Sequence, residues 1–384
     1  MDKIPVGILG ATGTVGQRFV QLLADHPWFE VVAVTGSDRT VGRPYGEGVN
    51  WLMSGEVPTA TAALVVQPTG LDLNIPGTPP VVFSALPTTE AKVWEPQFAA
   101  AGFAVVTNTS VFRMDPLVPL LIPEVNPDHT SLIPTQQAEY NWPGFIVASP
   151  NCSTTSAILP LKVLQEAFGV EAAIITTMQA LSGAGYPGVS SMDIYDNVVP
   201  YIGGEDEKLE NEPTKLLGAM EAGRMVPAAV LISAQANRVP VIDGHLAGVS
   251  VKLGRRASAD EAIAALRAWR PPAVVAQLPS SPQQLLIYRE EPDRPQPRRD
   301  RDAGDGLAWT VGKVRECPVL DVRYMSLTHN TLRGAASGAL LNAELLVVQG
   351  FIGRNPAQSG NGHQSTDARV FQGVGLKSGE VGKQ

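Results

Sequence analysis

Ile4-Pro5-Val6-Gly7-Ile8-Leu9-Gly10-Ala11-Thr12-Gly13-Thr14-Val15-Gly16 is the stretch that decides the fold class of this chain. Ile4–Leu9 reads as a short apolar strand, and Phe19, Val20, Leu22 and Leu23 follow at helical spacing. Between them lies a Gly-x-x-Gly-x-x-Gly turn. Such glycines let the backbone turn tightly and approach a pyrophosphate, which then rests on the helix N-terminus. Gly10, Thr12, Gly13, Thr14, Val15 and Gly16 are therefore candidate dinucleotide contacts. The same triplet also fits a plain strand–helix turn. A second strand, Val31–Thr35, follows at the distance a nucleotide-binding unit requires and favours the first reading. Just beyond it stands Gly36-Ser37-Asp38-Arg39-Thr40. Ser37 can donate to a phosphate oxygen and Arg39 can pair with it, which points to NADP; Asp38 between them is the NAD-like feature.

The first half continues with strands expected at Val81–Leu86 and Ala104–Asn108 and a helix near Ala91–Ala101. That alternation predicts a parallel sheet covered on both faces. Ligands of such sheets collect outside the carboxyl ends of the strands, where Ser84, Asn108 and Arg113 fall. Leu121–Asn126 reads as a further short strand. Phe145–Ala148 is another, and it runs into Ser149-Pro150-Asn151-Cys152-Ser153-Thr154-Thr155 and then a helical pattern, Ser156–Leu164. Cys152 thus falls at a helix start, with Ser153, Thr154 and Thr155 as capping types. There the helix dipole favours the thiolate. An inert core cysteine is the alternative, and the polar neighbours argue against it.

With 29 Lys and Arg against 37 Asp and Glu, the net charge of −8 offers no general attraction for nucleic acid or anionic lipid. Only two cysteines occur, Cys152 and Cys317, and no close Cys/His set accompanies them, so neither disulfides nor a metal site is expected. Neither a signal peptide nor a membrane span is legible, and the expected location is the cytoplasm. The length fits two domains. Residues 1–150, completed by 330–350, are expected to bind the nucleotide. Residues 151–329 are expected to form a second domain, with strands at Glu171–Gln179, Val230–Val241, Thr310–Val314 and Val319–Met325. Helices are expected at Asp206–Gly218 despite Pro213, at Ser258–Arg270 and at Asn330–Glu344. Residues 351–384 read as a flexible polar tail.

Gly10-Ala11-Thr12-Gly13, Ser149-Pro150-Asn151-Cys152, Gln179-Ala180-Leu181-Ser182-Gly183-Ala184-Gly185, Asn237-Arg238-Val239-Pro240 and Asp243-Gly244-His245 occur in this order. Together they resemble the aspartate-semialdehyde dehydrogenase family, most of all its archaeal and fungal branch, from the N-terminus to about Val348. The resemblance implies a Rossmann-type domain joined to an α+β catalytic and dimerisation domain of the glyceraldehyde-3-phosphate dehydrogenase-like kind. It implies NADP-dependent reductive dephosphorylation of L-aspartyl 4-phosphate, in the biosynthesis of lysine, threonine, methionine and isoleucine. Cys152 would be the nucleophile, His245 the acid/base, and Gln179 the residue that orients the acyl group. Arg238 would take the substrate α-carboxylate and Glu212 its amine. Lys215 and Arg113, with Asn108, would grip inorganic phosphate; Ser182, Gly183 and Asn342 would serve the cofactor. A homodimer or homotetramer is implied. Two rival readings stand beside it: a malonyl-CoA reductase using the same cysteine, and a non-catalytic nucleotide-sensing protein. For Glu212 and Lys215, one helical turn apart, the residues alone also fit a surface ion pair.

Overall fold

The structure is a computed structural model that describes residues 3–353. Five parallel strands form the first sheet: β1 (Ile4–Leu9), β2 (Phe29–Val34), β3 (Val81–Ser84), β4 (Ala104–Thr107) and β5 (Phe145–Ala148). Their order is β2-β1-β3-β4-β5, so the chain reverses direction across the sheet between β1 and β3 and opens a crevice there. Strands β3, β4 and β5 are buried at every residue, as short all-apolar runs covered on both faces must be. One face packs against the helices Thr14–Leu23 and Ser337–Val348 through Phe19, Val20, Leu340 and Leu345. The helix Thr88–Ala100 covers the other with Ala91, Phe98 and Ala99.

The second sheet begins with β6 (Val170–Gln179), follows a small hairpin of β7 (Ala219–Glu221) and β8 (Arg224–Val226), and then takes β9 (Leu231–Arg238) and β10 (His245–Leu253). It closes with β11 (Leu286–Arg289), β12 (Trp309–Glu316) and β13 (Val322–Thr328), in the order β11-β12-β13-β10-β6-β9. Burial alternates along β6 and β10, because one face lies on the helices Cys152–Phe168 and Ala259–Ala268 and the other is open. Ser258 caps the latter helix reciprocally with Glu261.

Three expectations need correction. Leu121–Asn126 is a turn, not a strand: Pro123 has no N–H to give a ladder, and Asn126 Oδ1 instead accepts the Ile122 N–H at 3.0 Å. Asn330–Glu344 is not one helix. Its first part is a wide turn, Leu332–Ala336, broken at Ala335 (φ −146°, ψ −108°), and the regular helix starts at Ser337. Gly334 in that turn abuts the nucleophile candidate, since a Cβ on it would lie 2.7 Å from Cys152 Cβ. The polar tail also begins later than expected, because Phe351 and Ile352 pack onto the core of the first sheet. Residues 354–384 of that expected tail lie outside the described residues. Among the described residues no helix is long and apolar enough to cross a membrane.

Candidate active site

Strand β5 delivers the chain to the helix Cys152–Phe168, whose N-cap is Asn151 rather than one of the hydroxyl residues that follow. Asn151 Oδ1 accepts the Cys152 backbone N–H at 2.8 Å and the thiol S–H at 3.4 Å. Thr155 Oγ1 folds back on Asn151 O at 3.0 Å, and Ser153 Oγ donates to Glu205 at 3.2 Å. His245, the first residue of β10, brings Nε2 to 3.2 Å from Cys152 Sγ. Its Nδ1 accepts the Ala180 N–H at 3.0 Å. The neutral ring therefore carries its proton on Nε2 and offers it to the sulfur.

The electrostatics favour this neutral pair. Burial, and then the Arg238 charge, hold the His245 imidazole down to about 3. Burial pushes the Cys152 thiol up to about 12, reinforced by Glu205 and opposed by Arg113, Arg238 and Lys208. A helix dipole is worth about 0.3–1 kcal/mol at an ordinary terminus, less than the several pKa units that burial can impose. The dipole thus does not produce the resting thiolate that Cys152's position at a helix start led us to expect.

Cys152 lies on a cleft of about 820 Å³ whose wall also includes Gly13, Thr14, Val15, Asn108 and Arg113. At the nucleotide end Gly10 has φ +75°, and a Cβ on Gly16 would lie 2.2 Å from Gly10 O. Helix Thr14–Leu23 has no side-chain cap at Gly13, so its first backbone N–H groups are open to an anion. Thr12 O anchors Gln17 Nε2 at 2.9 Å. Ser37 and Arg39 stand exposed after β2, and Arg39 has no ion-pair partner among the described residues. This end fits a dinucleotide. Ser182 and Gly183 line the same cleft. Ser84, at the end of β3, is fully buried, with an Oγ that lacks a partner.

At the other end Arg113 pairs with Glu212 Oε1 at 3.0 Å and donates to Asn108 O at 2.8 Å. The amide nitrogen of Asn108 has no partner. Glu212 Oε2 accepts the Asn151 N–H at 2.6 Å, so both its oxygens are engaged and it does not stand open as a free amine acceptor. Arg238 donates to Ala180 O at 2.7 Å and has no carboxylate partner among the described residues. Gly183 must be glycine beside it, because a Cβ there would lie 2.9 Å from Arg238 Nη1 and 3.0 Å from His245 Cε1. Gln179 is held at both ends: Nε2 donates to Glu205 at 3.0 Å, and Oε1 accepts from Thr177 at 3.2 Å.

Two expected site residues are not brought to the cleft. Lys215 Nζ donates to the carbonyls of Arg113, Asp115 and Val118 at 2.7, 2.6 and 2.7 Å, leaving no proton for a phosphate. Burial lowers its ammonium to about 8 against the pull of Asp115 and Glu212, so it remains charged at neutral pH. Lys215→Met should orphan three carbonyls and destabilise the fold by roughly 3 kcal/mol or more, at 1–3 per lost partner. Urea unfolding measures this; unchanged stability with a raised phosphate KM would restore the phosphate role. Asn342 is likewise buried behind the cleft, donating to Leu121 O at 3.0 Å and Ser149 Oγ at 3.1 Å. Sequence reading missed Glu205, Lys208 and Asn330. Glu205-x-x-Lys208 repeats the Glu212-x-x-Lys215 spacing two turns earlier on the same helix, Glu205–Leu216, and that repeat was the available signal. Asn330 joins Ser182 Oγ and the Gly244 N–H, each at 2.8 Å, and so holds the cleft loop beside His245. Among the described residues no group of three His, Cys, Asp or Glu side chains could hold a metal ion.

Two family profiles match the chain: the semialdehyde dehydrogenase NAD binding domain over residues 5–133 and the semialdehyde dehydrogenase dimerisation domain over residues 161–333. An aspartate-semialdehyde dehydrogenase of Archaeoglobus fulgidus is 48% identical over 353 residues, covering 91% of this chain and 100% of the relative. One from Cryptococcus neoformans is 44% identical, covering 91% and 98%. The crystal structure of aspartate semialdehyde dehydrogenase with NADP from Candida albicans superposes with a TM-score of 0.83 at 41% identity, covering 91% of this chain and 100% of that one. A cysteine–histidine pair facing a dinucleotide turn, matched at this identity over nearly the whole length, means that the chain belongs to the aspartate-semialdehyde dehydrogenase family.

Proposed function

We propose that the chain is an NADP-dependent aspartate-semialdehyde dehydrogenase that converts L-aspartyl 4-phosphate to L-aspartate 4-semialdehyde and inorganic phosphate. Its place would be the biosynthesis of lysine, threonine, methionine and isoleucine. The observation that carries the reading is the 3.2 Å contact of Cys152 Sγ with His245 Nε2 on the wall of the cofactor cleft. Cys152 would attack the acyl carbon and expel phosphate, leaving a thioester on Sγ. Bound NADPH supplies the hydride that reduces this thioester. Gly13, Thr14 and Val15 would hold the cofactor pyrophosphate, and Ser37 and Arg39 its 2′-phosphate. When the thiohemiacetal collapses, the oxygen re-forms C=O and the electron pair returns to sulfur. His245 Nε2–H can stabilise charge on both atoms in turn by donating a hydrogen bond, and an imidazolium is not required. Arg113, freed from Glu212, and Asn108 would receive the phosphate.

NADP reduction by aspartate semialdehyde that depends on added phosphate tests the reading. If the protein instead oxidises NADPH with malonyl-CoA and ignores aspartate semialdehyde, the substrate assignment fails and the cysteine chemistry survives. A cofactor-binding protein without turnover on either would sink both. The reading also takes residues 1–150 with 330–350 as the nucleotide domain and 151–329 as the catalytic and dimerisation domain. It makes the protein a cytoplasmic homodimer or homotetramer.

Arg39 gives a sharper test of the cofactor. It is exposed and unpaired, so removing it disturbs little of the fold. Arg39→Ala should raise the KM for NADP about tenfold or more while changing that for NAD little, since a charge-assisted phosphate contact is worth roughly 1.5–3 kcal/mol. Equal losses with both cofactors would place Arg39 away from the 2′-phosphate.

A further inference from the structure

We propose that Glu205 is a positioning residue of the reaction, one that fixes the side-chain amides of Asn151 and Gln179 so that Asn151 Oδ1 faces the Cys152 thiol. An ionised carboxylate accepts hydrogen bonds and donates none. Glu205 Oε2 accepts from Asn151 Nδ2 at 2.6 Å, Gln179 Nε2 at 3.0 Å and Ser153 Oγ at 3.2 Å, and Oε1 takes Lys208 Nζ at 2.8 Å. An amide beside an acceptor-only group has one satisfactory orientation. The NH₂ ends of Asn151 and Gln179 must turn toward Glu205, and the Asn151 carbonyl must turn the other way. There it meets the N–H of Cys152 at 2.8 Å and its S–H at 3.4 Å.

The fold holds Glu205 in this place. Gly204 adopts φ +71°, which glycine does freely, and sets Glu205 as the first residue of the helix Glu205–Leu216. A negative side chain is favoured in a first turn. Burial on its own would raise Glu205, but Lys208, Gln179 and Asn151 outweigh it and bring the carboxyl to about 2, so it is charged at any working pH. The same charge lies close enough to Cys152 to disfavour the thiolate. Glu205 therefore ties together the end of β6, the start of the cysteine helix and its own helix. It also keeps the thiol protonated and aimed at Asn151 until substrate arrives.

Glu205→Gln separates this role from packing. Glutamine has nearly the same shape, but it brings an NH₂ of its own and no charge. Asn151 is then free to flip and present Nδ2 to the sulfur, and the nearby negative charge is gone. Both changes favour the thiolate. The experiment measures alkylation of Cys152 by iodoacetamide between pH 6 and 10, located by peptide mass spectrometry, together with kcat for wild type, Glu205→Gln and Glu205→Asp. In Glu205→Gln the alkylation midpoint should fall by about one pH unit or more, as loss of a neighbouring like charge does. Its kcat should fall on the order of 100-fold, the loss expected of a misplaced reacting group. Glu205→Asp, which keeps the charge, should hold the midpoint near wild type and recover part of the turnover. An unchanged midpoint in a folded Glu205→Gln overturns the proposal even if turnover drops. If Glu205→Gln does not fold, Glu205→Asp decides: wild-type turnover in it refutes the positioning role. The turnover arm rests on the function proposed above, whereas alkylation needs no substrate. Wild-type protein inactive on aspartate semialdehyde would therefore sink that function and leave the midpoint to decide the case of Glu205.

Discussion

Cys152→Ser should lose turnover by a factor on the order of 10⁴ or more, the scale seen when a nucleophile is removed from a preorganised site, while still binding cofactor. The hydroxyl fits where the thiol was, so the N-cap at Asn151 and the contact with His245 can persist. What fails is the chemistry. A serine hydroxyl ionises far less readily than a thiol, and an oxygen ester accepts hydride poorly. His245 cannot make up the difference, because its Nδ1 is occupied by the Ala180 N–H and burial keeps the ring neutral. The nucleotide end of the cleft is built from Gly10–Val15 and does not depend on Sγ. Titration of the variant with NADP, followed by fluorescence or calorimetry, should therefore give a Kd within a few-fold of wild type. Turnover above a few per cent of wild type would mean that Cys152 is not the covalent nucleophile.

The parts of this site that were legible in the sequence are those whose chemistry is local. The Gly10–Gly16 turn follows from a strand, three glycines and a helix in immediate succession, and Cys152 follows from a strand ending at a polar helix start. Residues whose partners come from distant segments were read less well. Lys215 has a phosphate-binding residue type, yet its partners are carbonyls of Arg113, Asp115 and Val118, about a hundred positions away, and no local pattern announces them. Glu212 and Glu205 lie on the same helix with the same spacing to a lysine, so periodicity could not say which carboxylate meets Asn151's side chain and which its backbone. Leu121–Asn126 has strand-like composition, and Pro123 settled it as a turn. In the break near Ala335, close packing of Gly334 on Cys152 overrode the helix-forming small residues on either side.

Arg238→Ala should lower kcat/KM for aspartate semialdehyde by roughly 30- to 5000-fold, the equivalent of about 2–5 kcal/mol for one partner of a desolvated charge pair. Arg238 ends β9 in register with Gln179, and its Nη1 is tied to Ala180 O at 2.7 Å. The rest of the guanidinium has no carboxylate among the described residues, so a buried cation is left facing the cleft beside Gly183. An α-carboxylate of the substrate would complete it in bidentate fashion, a geometry that lysine does not reproduce. Arg238→Lys should therefore rescue little. The charge of Arg238 also helps to keep His245 neutral, which offers a second explanation for any loss of rate. A substrate without the carboxylate, 3-aminopropanal, separates the two. Wild type should strongly prefer aspartate semialdehyde, and Arg238→Ala should nearly abolish that preference because only the substrate with a carboxylate loses a contact. If instead both aldehydes slow by the same factor, Arg238 acts through His245 and the substrate carboxylate is bound elsewhere.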